Sequence, residues 1–565
     1  MRKAFILTFL AAITASAAAK VTSVFNAASN IPLGNAGSGI AQGAFFVVFG
    51  SGLGPALISI ASMPYPTSIG GTTVTVTPAG GTPVTAYLYY SEDGQVSGIL
   101  PSATPTGPAN VTVTYNSSTS DPVKITVVKS YFGIFTLNQA GTGPAAVLNR
   151  NPDGLNSLTN SVASGGTLEV YGTGLGPITV ADNAPPGAVS PAGIDVKVLV
   201  AGQTIATSYA GRAPQFAGLD QIDFQLPSDA SVPDGCFIPF AIQVNGVVSN
   251  YGTFAKAAGG KTCTAPLGLS AATLQKLDAG GTATVGLLSL GRNTTALSVV
   301  GKPVLIDIES ASGAFAPFNA AGLFGLNLTP GALPPLNAVG TCIVQTQGST
   351  SPPINALPPL AKDMDAGSKL TLSGPGGVSK DLTRSIAVGS AGYSAVLSSA
   401  TPVIQPGQWT MTGTGGADIG AFTSTVTVPA PLACTNCDGT TGINTIDRTK
   451  PLLVTWTGGG GSGDYVQVGG LSTVVSTADA AKNVAVIFSC SARASDLQFT
   501  VPASILNQMP QSSADLLAAN TGALVLVNVL GNSGTAFTAP LTAGGNIDLG
   551  FFGYSATVIK LVGYN

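Results

Sequence analysis

The chain has 565 residues, more than one hydrophobic core can organise, and on ordinary domain sizes it divides into about four parts. A hydrophobic share of 45% excludes a disordered chain, while only 8% charged residues with 73 Gly and 39 Pro describe a folded protein with many turns. The balance of 22 Lys and Arg against 25 Asp and Glu, without a basic cluster, excludes a nucleic-acid partner, and the complete lack of His removes the usual general base and the commonest transition-metal ligand.

Residues 1–20, "MRKAFILTFLAAITASAAAK", place Arg2 and Lys3 before a short apolar run and end in small residues, the pattern of a secretory signal peptide cleaved after Ala19. Cleavage leaves 22 − 2 = 20 basic against 25 acidic residues, a net charge of −5. The apolar run is too short to span a bilayer and no later stretch of about 18 apolar residues follows, so an integral membrane protein is not expected. Without a Cys after that run or a hydrophobic C-terminal tail, the expected location is secreted or non-covalently held at the cell surface.

Period-two patterns then appear at 73–77 ("TVTVT"), 110–114 ("NVTVT") and 123–127 ("VKITV"), each a half-buried strand. Residues 195–198 and 241–244 repeat the pattern, the latter running into Asn245-Gly246, a hairpin-turn dipeptide. Short strands broken by Gly, Pro, Asn and Ser predict β-sandwiches. "FVVFGSGLGP" at 46–55 returns as "LEVYGTGLGP" at 168–177; "GQVSGILPS" at 94–102 returns as "DQIDFQLPS" at 220–228, and "YFGIF" at 131–135 as "NYGTF" at 250–254. The separations of 122, 126 and 119 residues indicate a tandem duplication, with modules at 20–138 and 139–263. The repeated glycines permit positive φ or close backbone approach. As a cofactor loop the peptide fails, because its spacing is G-x-G-x-G and no helical pattern follows.

Residues 21–263, with the "FNAASN" opening, the paired glycine turns and the "PAAVLNRNPDGLNS" linker, resemble the uncharacterised repeat domain of exported proteins from Solibacter and related acidobacteria. The turns are also similar to those of immunoglobulin-like IPT/TIG modules. The resemblance implies tandem immunoglobulin-like sandwiches in an exported protein and carries no catalytic residues. The first copy departs from the second at "YLYYSEDGQVSGILP", so a surface formed there is not expected to be shared.

Beyond 263, Gly-, Pro- and Cys-rich stretches at 257–268 and 428–442 mark boundaries of a β-rich domain at 266–430 and a C-terminal sandwich at 431–565. A short helix is predicted at 270–277, ended with the help of Gly280, followed by strands at 304–308 and 423–427. Strands at 452–456, 484–488 and 524–527 furnish the last domain. The expected fold class is all-β throughout.

Six Cys in an exported chain are expected to pair. Cys236 with Cys263 is the first choice, closing a loop that contributes roughly 3 to 4 kcal/mol by chain entropy. Cys434 and Cys437 offer a local bridge, leaving Cys342 for Cys490, although spacing alone does not fix connectivity. A redox role for the C-x-x-C needs a strand-to-helix setting that the surrounding Gly and Thr do not provide, and zinc lacks a second pair of ligands.

No catalytic, cofactor or metal residue is assigned. The best carboxylate pair, Asp307 and Glu309, falls on one face of a strand about 6.7 Å apart, a spacing glycosidases use, and is read as a solvated outer face opposite Val304, Ile306 and Ile308. With only Trp409 and Trp456 in the chain, an aromatic sugar cleft is hard to furnish. Asn149-Arg150-Asn151-Pro152-Asp153-Gly154 imitates a calcium loop, but the twelfth position is Asn160, not Glu, and a turn between modules is the reading. Gly260-Lys261-Thr262 resembles the end of a phosphate loop whose earlier Gly is replaced by Ala255, a chance match. The expected function is binding, adhesion or structure outside the cell, with an unidentified protein or glycan partner. A secreted polysaccharide hydrolase is the alternative.

Overall fold

The computed structural model describes residues 18–31, 38–150, 153–264, 269–299, 302–320, 322, 339–348, 363–385, 392–398, 402–437, 442–475, 483–515, 518–530 and 534–565. Residues 1–17 of the signal peptide expected at 1–19 lie outside them, as do Asn151 and Pro152 of the linker.

The first module is a sandwich. One layer orders β1 (Lys20–Asn26), β2 (Phe45–Ser51), β5 (Gln95–Ile99) and β4 (Tyr87–Glu92), with Ser59–Ile60 at the edge; the other contains β3 (Thr72–Pro78), β6 (Gly107–Tyr115) and β7 (Val123–Val128). Alternation does the work: Val74, Val76, Val111, Val113 and Ile125 meet Val24, Phe46, Val48, Leu88 and Val96, while the Thr residues between them face outward.

The second module repeats the plan with β8 (Gly133–Ile134), β9 (Val147–Arg150), β10 (Thr167–Thr173), β11 (Val196–Val200), β12 (Gln203–Arg212), β13 (Asp220–Gln225), β14 (Gly235–Val244) and β15 (Gly252–Lys256). Ten-residue β12 joins the layers, pairing with β11 over residues 203–206 and with β13 from Thr207 onward, with a bulge between Thr207 and Tyr209. Val170, Ile222 and Phe224 then oppose Val198, Phe240 and Ile242 in a core separate from the first. At the β14 hairpin, Asn245 (φ 50°) and Gly246 (φ 84°) both adopt the left-handed conformation that this dipeptide tolerates.

Past the second module, α1 (Ala271–Asp278) starts at Ser270, whose Oγ accepts from the Thr273 N–H at 3.1 Å, and is followed by Gly280 at φ 81°. Two 17-residue strands, β16 (Ala283–Val299) and β17 (Lys302–Phe318), form a long hairpin. Its other side pairs in parallel with β18 (Leu549–Leu561), the strand near the end of the chain. One 13-stranded sheet thus runs from Cys342–Gly348 through Gly522–Val529, β18, β16 and β17 to Phe422–Val428. The boundary expected at 430/431 therefore does not separate the sheets: β16 offers two long edges, and one of them is satisfied only by residues from the far end of the sequence. Trp409 and Trp456 lie fully buried in the shared core.

All six cysteines are paired, Cys236 with Cys263, Cys342 with Cys490 and Cys434 with Cys437. The second bond joins directly opposed residues of an edge strand and its neighbour across a separation of 148 residues. No helix among the described residues is long and apolar enough to cross a membrane.

Candidate functional site

The most distinctive surface is built by a break in alternation. In β4, Leu88 pairs with Gly98, yet the next ladder pair is Tyr90 with Ser97, which makes Tyr89 the extra residue of a β-bulge. Leu88 and Ser91 on either side are fully buried, while Tyr89 and Tyr90 both turn to the outer face. Strand β2 sends Phe46 and Val48 into the core, so that Phe45, Val47 and Phe49 join the tyrosines outside, with Gln95 and Ser97 of β5 between them. These residues floor a groove of about 460 Å³, within the range of ligand sites. The rings form a connected set: Phe45 to Tyr89 at 6.0 Å, Tyr65 to Tyr89 at 5.5 Å and Tyr89 to Tyr90 at 5.5 Å between centroids.

The end of the groove is made by the "FNAASN" turn and the connector between modules. Asn26 Oδ1 accepts from the Ala28 and Ser29 N–H groups at 2.9 and 3.1 Å, fixing the turn, while its Nδ2 donates to the Tyr131 and Thr173 carbonyls at 3.3 Å. Asn30 Nδ2 donates to the Gln139 carbonyl at 2.9 Å. Phe135, Asn138 and Gln139 of the connector complete the wall, shaped by Thr136 and Asn138 side chains that accept from the Gly141 and Ala140 N–H groups at 3.1 Å.

Among the described residues, no Lys, Arg, Asp or Glu lines this groove. Its polar groups are amides and hydroxyls. Burial, reinforced by Glu92 and Tyr89, pushes the Tyr90 phenol up to about 12, and burial with Tyr89 raises Tyr65, so both remain neutral donors at physiological pH.

Ladder position identifies the same face of the second module, and it is lined differently. Val47 opposite Ser97 corresponds to Glu169 opposite Asp223, Phe49 to Tyr171, and the bulged Tyr89 to Ser208. There Glu169, 3% exposed, pairs with Arg150 and accepts from the Tyr171 hydroxyl, while Gln221 donates to Asp223 at 3.0 Å. A duplicated scaffold thus presents an aromatic, uncharged surface once and a charged network once.

The other residues singled out in the sequence go elsewhere. Glu309 is fully buried, ion-paired with Arg292 at 3.0 Å and accepting from the Val403 and Ile404 N–H groups. Asp307 accepts from the Thr294 hydroxyl. The solvated face expected for this pair is therefore corrected: Ile306 and Ile308 are the exposed residues, at 41% and 44%, and Glu309 points inward because Arg292 and two N–H groups satisfy it there. The Asn149 side chain is engaged within the protein. Its Nδ2 donates to the Asn160 carbonyl at 2.6 Å, its Oδ1 accepts from Asn156 at 2.9 Å, and Arg150 is the antiparallel ladder partner of Asp153. The Lys261 carbonyl accepts from the Ser161 N–H at 2.7 Å, an ordinary backbone tie. Among the described residues, no three acidic or Cys side chains converge as a metal site. Both Trp are buried, so the rings open to the groove are Phe and Tyr.

No protein-family model matches the sequence, and no curated protein is similar to it. Among solved structures, the tetra-tandem repeat in the extending region of a large adhesion protein aligns over 96% of this chain and 99% of its own, at 13% identity and a TM-score of 0.13. A Bacteroides ovatus mixed-linkage glucan utilization locus protein, SGBP-B, in complex with a mixed-linkage heptasaccharide, covers 87% of this chain and 94% of its own, at 13% identity and TM-score 0.13. Immunoglobulin domains 1–5 of Sidekick-1 cover 91% and 75%, at 12% identity and TM-score 0.12. Superpositions this loose transfer no function, and the all-β, tandem immunoglobulin-like class rests on the strands, sheets and cores described above.

Proposed function

We propose that the chain is an exported, non-catalytic binding protein of the cell surface or the extracellular space, which holds its partner in the groove of the first module. The observation that carries this reading is the cluster of Phe45, Phe49, Tyr89 and Tyr90 on an outer sheet face with Phe135 of the connector beside them, where rings that would ordinarily be buried line an open groove. Export is supported by the signal-like residues 1–19 and by six paired cysteines, which suit an oxidising compartment. The resemblance of residues 21–263 to the repeat domain of exported acidobacterial proteins points the same way. The buried Glu309 speaks against the hydrolase alternative, because a carboxylate ion-paired with Arg292 and held by two N–H groups is poorly placed for proton transfer.

The test is sedimentation of the purified mature chain with cells and extracellular matrix of the native host, alongside Tyr89→Ala. Tyr89 is 38% exposed and outside the core, so its removal spares the fold. Co-sedimentation that falls at least about tenfold in the variant supports the groove as the binding surface. Equal sedimentation of both proteins overturns it.

A further inference from the structure

We infer that the groove takes a neutral glycan chain. This rests on the binding reading above and adds the chemistry of the ligand. Four observations carry it. The walls offer aromatic faces beside amides and hydroxyls, and a sugar ring presents the matching pair: an apolar C–H face for Phe45, Phe135 or Tyr89 and a rim of hydroxyls that both donate and accept. Gln95 donates its amide to the Tyr90 hydroxyl and Asn30 donates to the Gln139 carbonyl, so each is held with its amide oxygen as an acceptor, while Asn138 Nδ2 has no acceptor among the described residues.

Charge is the third observation. Among the described residues, the lining holds no cation to recognise sulfate, phosphate or uronate groups and no carboxylate to recognise a basic peptide. Glu92 and Asp93, at the hairpin beside Tyr90, further disfavour an anionic chain. The fourth is backbone saturation. Strand β2 is paired on both sides, with β1 and β5, and β5 with β2 and β4, so the floor has no free edge to which a peptide could add as a strand. An uncharged ligand with many hydroxyls and flat apolar faces satisfies all four.

The experiment is native affinity electrophoresis of the full mature chain in gels containing mixed-linkage β-glucan, arabinoxylan, galactomannan or pullulan, with alginate and polygalacturonate as acidic counterparts. Tyr89→Ala, Tyr89→Phe and Gln95→Ala are run alongside, with circular dichroism confirming that each is folded. Retardation by at least one neutral polymer, weakened about tenfold or more by Tyr89→Ala and kept within about threefold by Tyr89→Phe, supports the inference. Retardation by no neutral polymer, by acidic polymers only, or equally in wild type and Tyr89→Ala overturns it. Periodate and protease treatment of the native cell material separates the two readings. Groove-dependent sedimentation that survives periodate but is lost on proteolysis removes the glycan and keeps the binding function, whereas sedimentation indifferent to Tyr89 removes the binding function itself.

Discussion

Arg212 and Asp220 form a buried charge pair, 1% and 0% exposed, that explains much of the repeated glycine peptide. Asp220 Oδ2 accepts from the Gly174 and Leu175 N–H groups at 2.7 and 2.8 Å, and Arg212 Nη2 donates to the Gly176 carbonyl at 3.0 Å. The same nitrogen donates to the Gly43 carbonyl of the first module, also at 3.0 Å, so the clasp holds the loop and the module junction together. Removing one member of such a pair strands the other in a medium that cannot solvate it, a loss of about 3–5 kcal/mol. In the first copy Gly94 stands at the ladder position of Asp220, and the exposed Asp93 receives the Gly52 N–H at 3.2 Å instead. Asp220→Ala is accordingly expected to lose about 3–5 kcal/mol in urea unfolding, and Asp93→Ala less than about 1 kcal/mol. Equal effects would show that the clasp is not the source. The sequence aligned the two copies but not this role, because Gly94 and Asp220 occupy one position and the work passes to a neighbour.

At the scale of elements, alternation located the strands well and their partners poorly. The patterns at 73–77, 110–114, 123–127 and 241–244 all fall inside strands, and the helix expected at 270–277 is Ala271–Asp278 with Ser270 as its cap. Period two reports that a segment is half-buried, not which edge it meets, so the parallel pairing of Ala283–Val299 with Leu549–Leu561 left no local trace. The groove was legible only as the departure of "YLYYSEDGQ" between the copies: a bulge shifts one residue, and nothing in composition announces it. The glycine turns were read correctly in kind, and the structure separates their two reasons. A Cβ on Gly172 would lie 2.2 Å from the Gly133 carbonyl oxygen, while Gly174 combines φ 112° with a Cβ position 2.0 Å from the Tyr131 carbonyl oxygen. Backbone cannot yield there as a side chain would. Gly174→Ala is expected to cost more than about 3 kcal/mol, against about 0.5 kcal/mol or less for Gly187→Ala, where a methyl meets nothing within 4 Å. A Gly174→Ala protein as stable as wild type would refute the close-approach account.

Across the whole molecule, the lack of His and the burial of tyrosines together set the response to pH. With no His and all six Cys paired, no side chain has an ordinary pKa near neutrality, so stability is expected to vary little between about pH 6 and 9. Burial pushes the phenols of Tyr90, Tyr251 and Tyr554 up to about 12, and those of Tyr131, Tyr171 and Tyr564 further still. An unfolded tyrosine loses its proton near pH 10. Above that value the unfolded chain binds fewer protons than the folded one, so stability falls with rising pH; the contribution is complete below pH 10 and disappears as pH climbs through the folded values. Tyr251, Tyr554 and Tyr564 belong to the largest core, so much of the loss falls there. Thermal unfolding followed by circular dichroism should give a melting temperature nearly constant from pH 6 to 9 and falling from pH 10 upward. Tyrosinate absorbance at 295 nm should rise partly with unfolding, not as a simple titration centred at 10. A melting temperature unchanged from pH 10 upward, or full ionisation of the tyrosines at pH 10.5 with the fold intact, would contradict the burial of these phenols and, for Tyr90, the neutral character assigned to the groove.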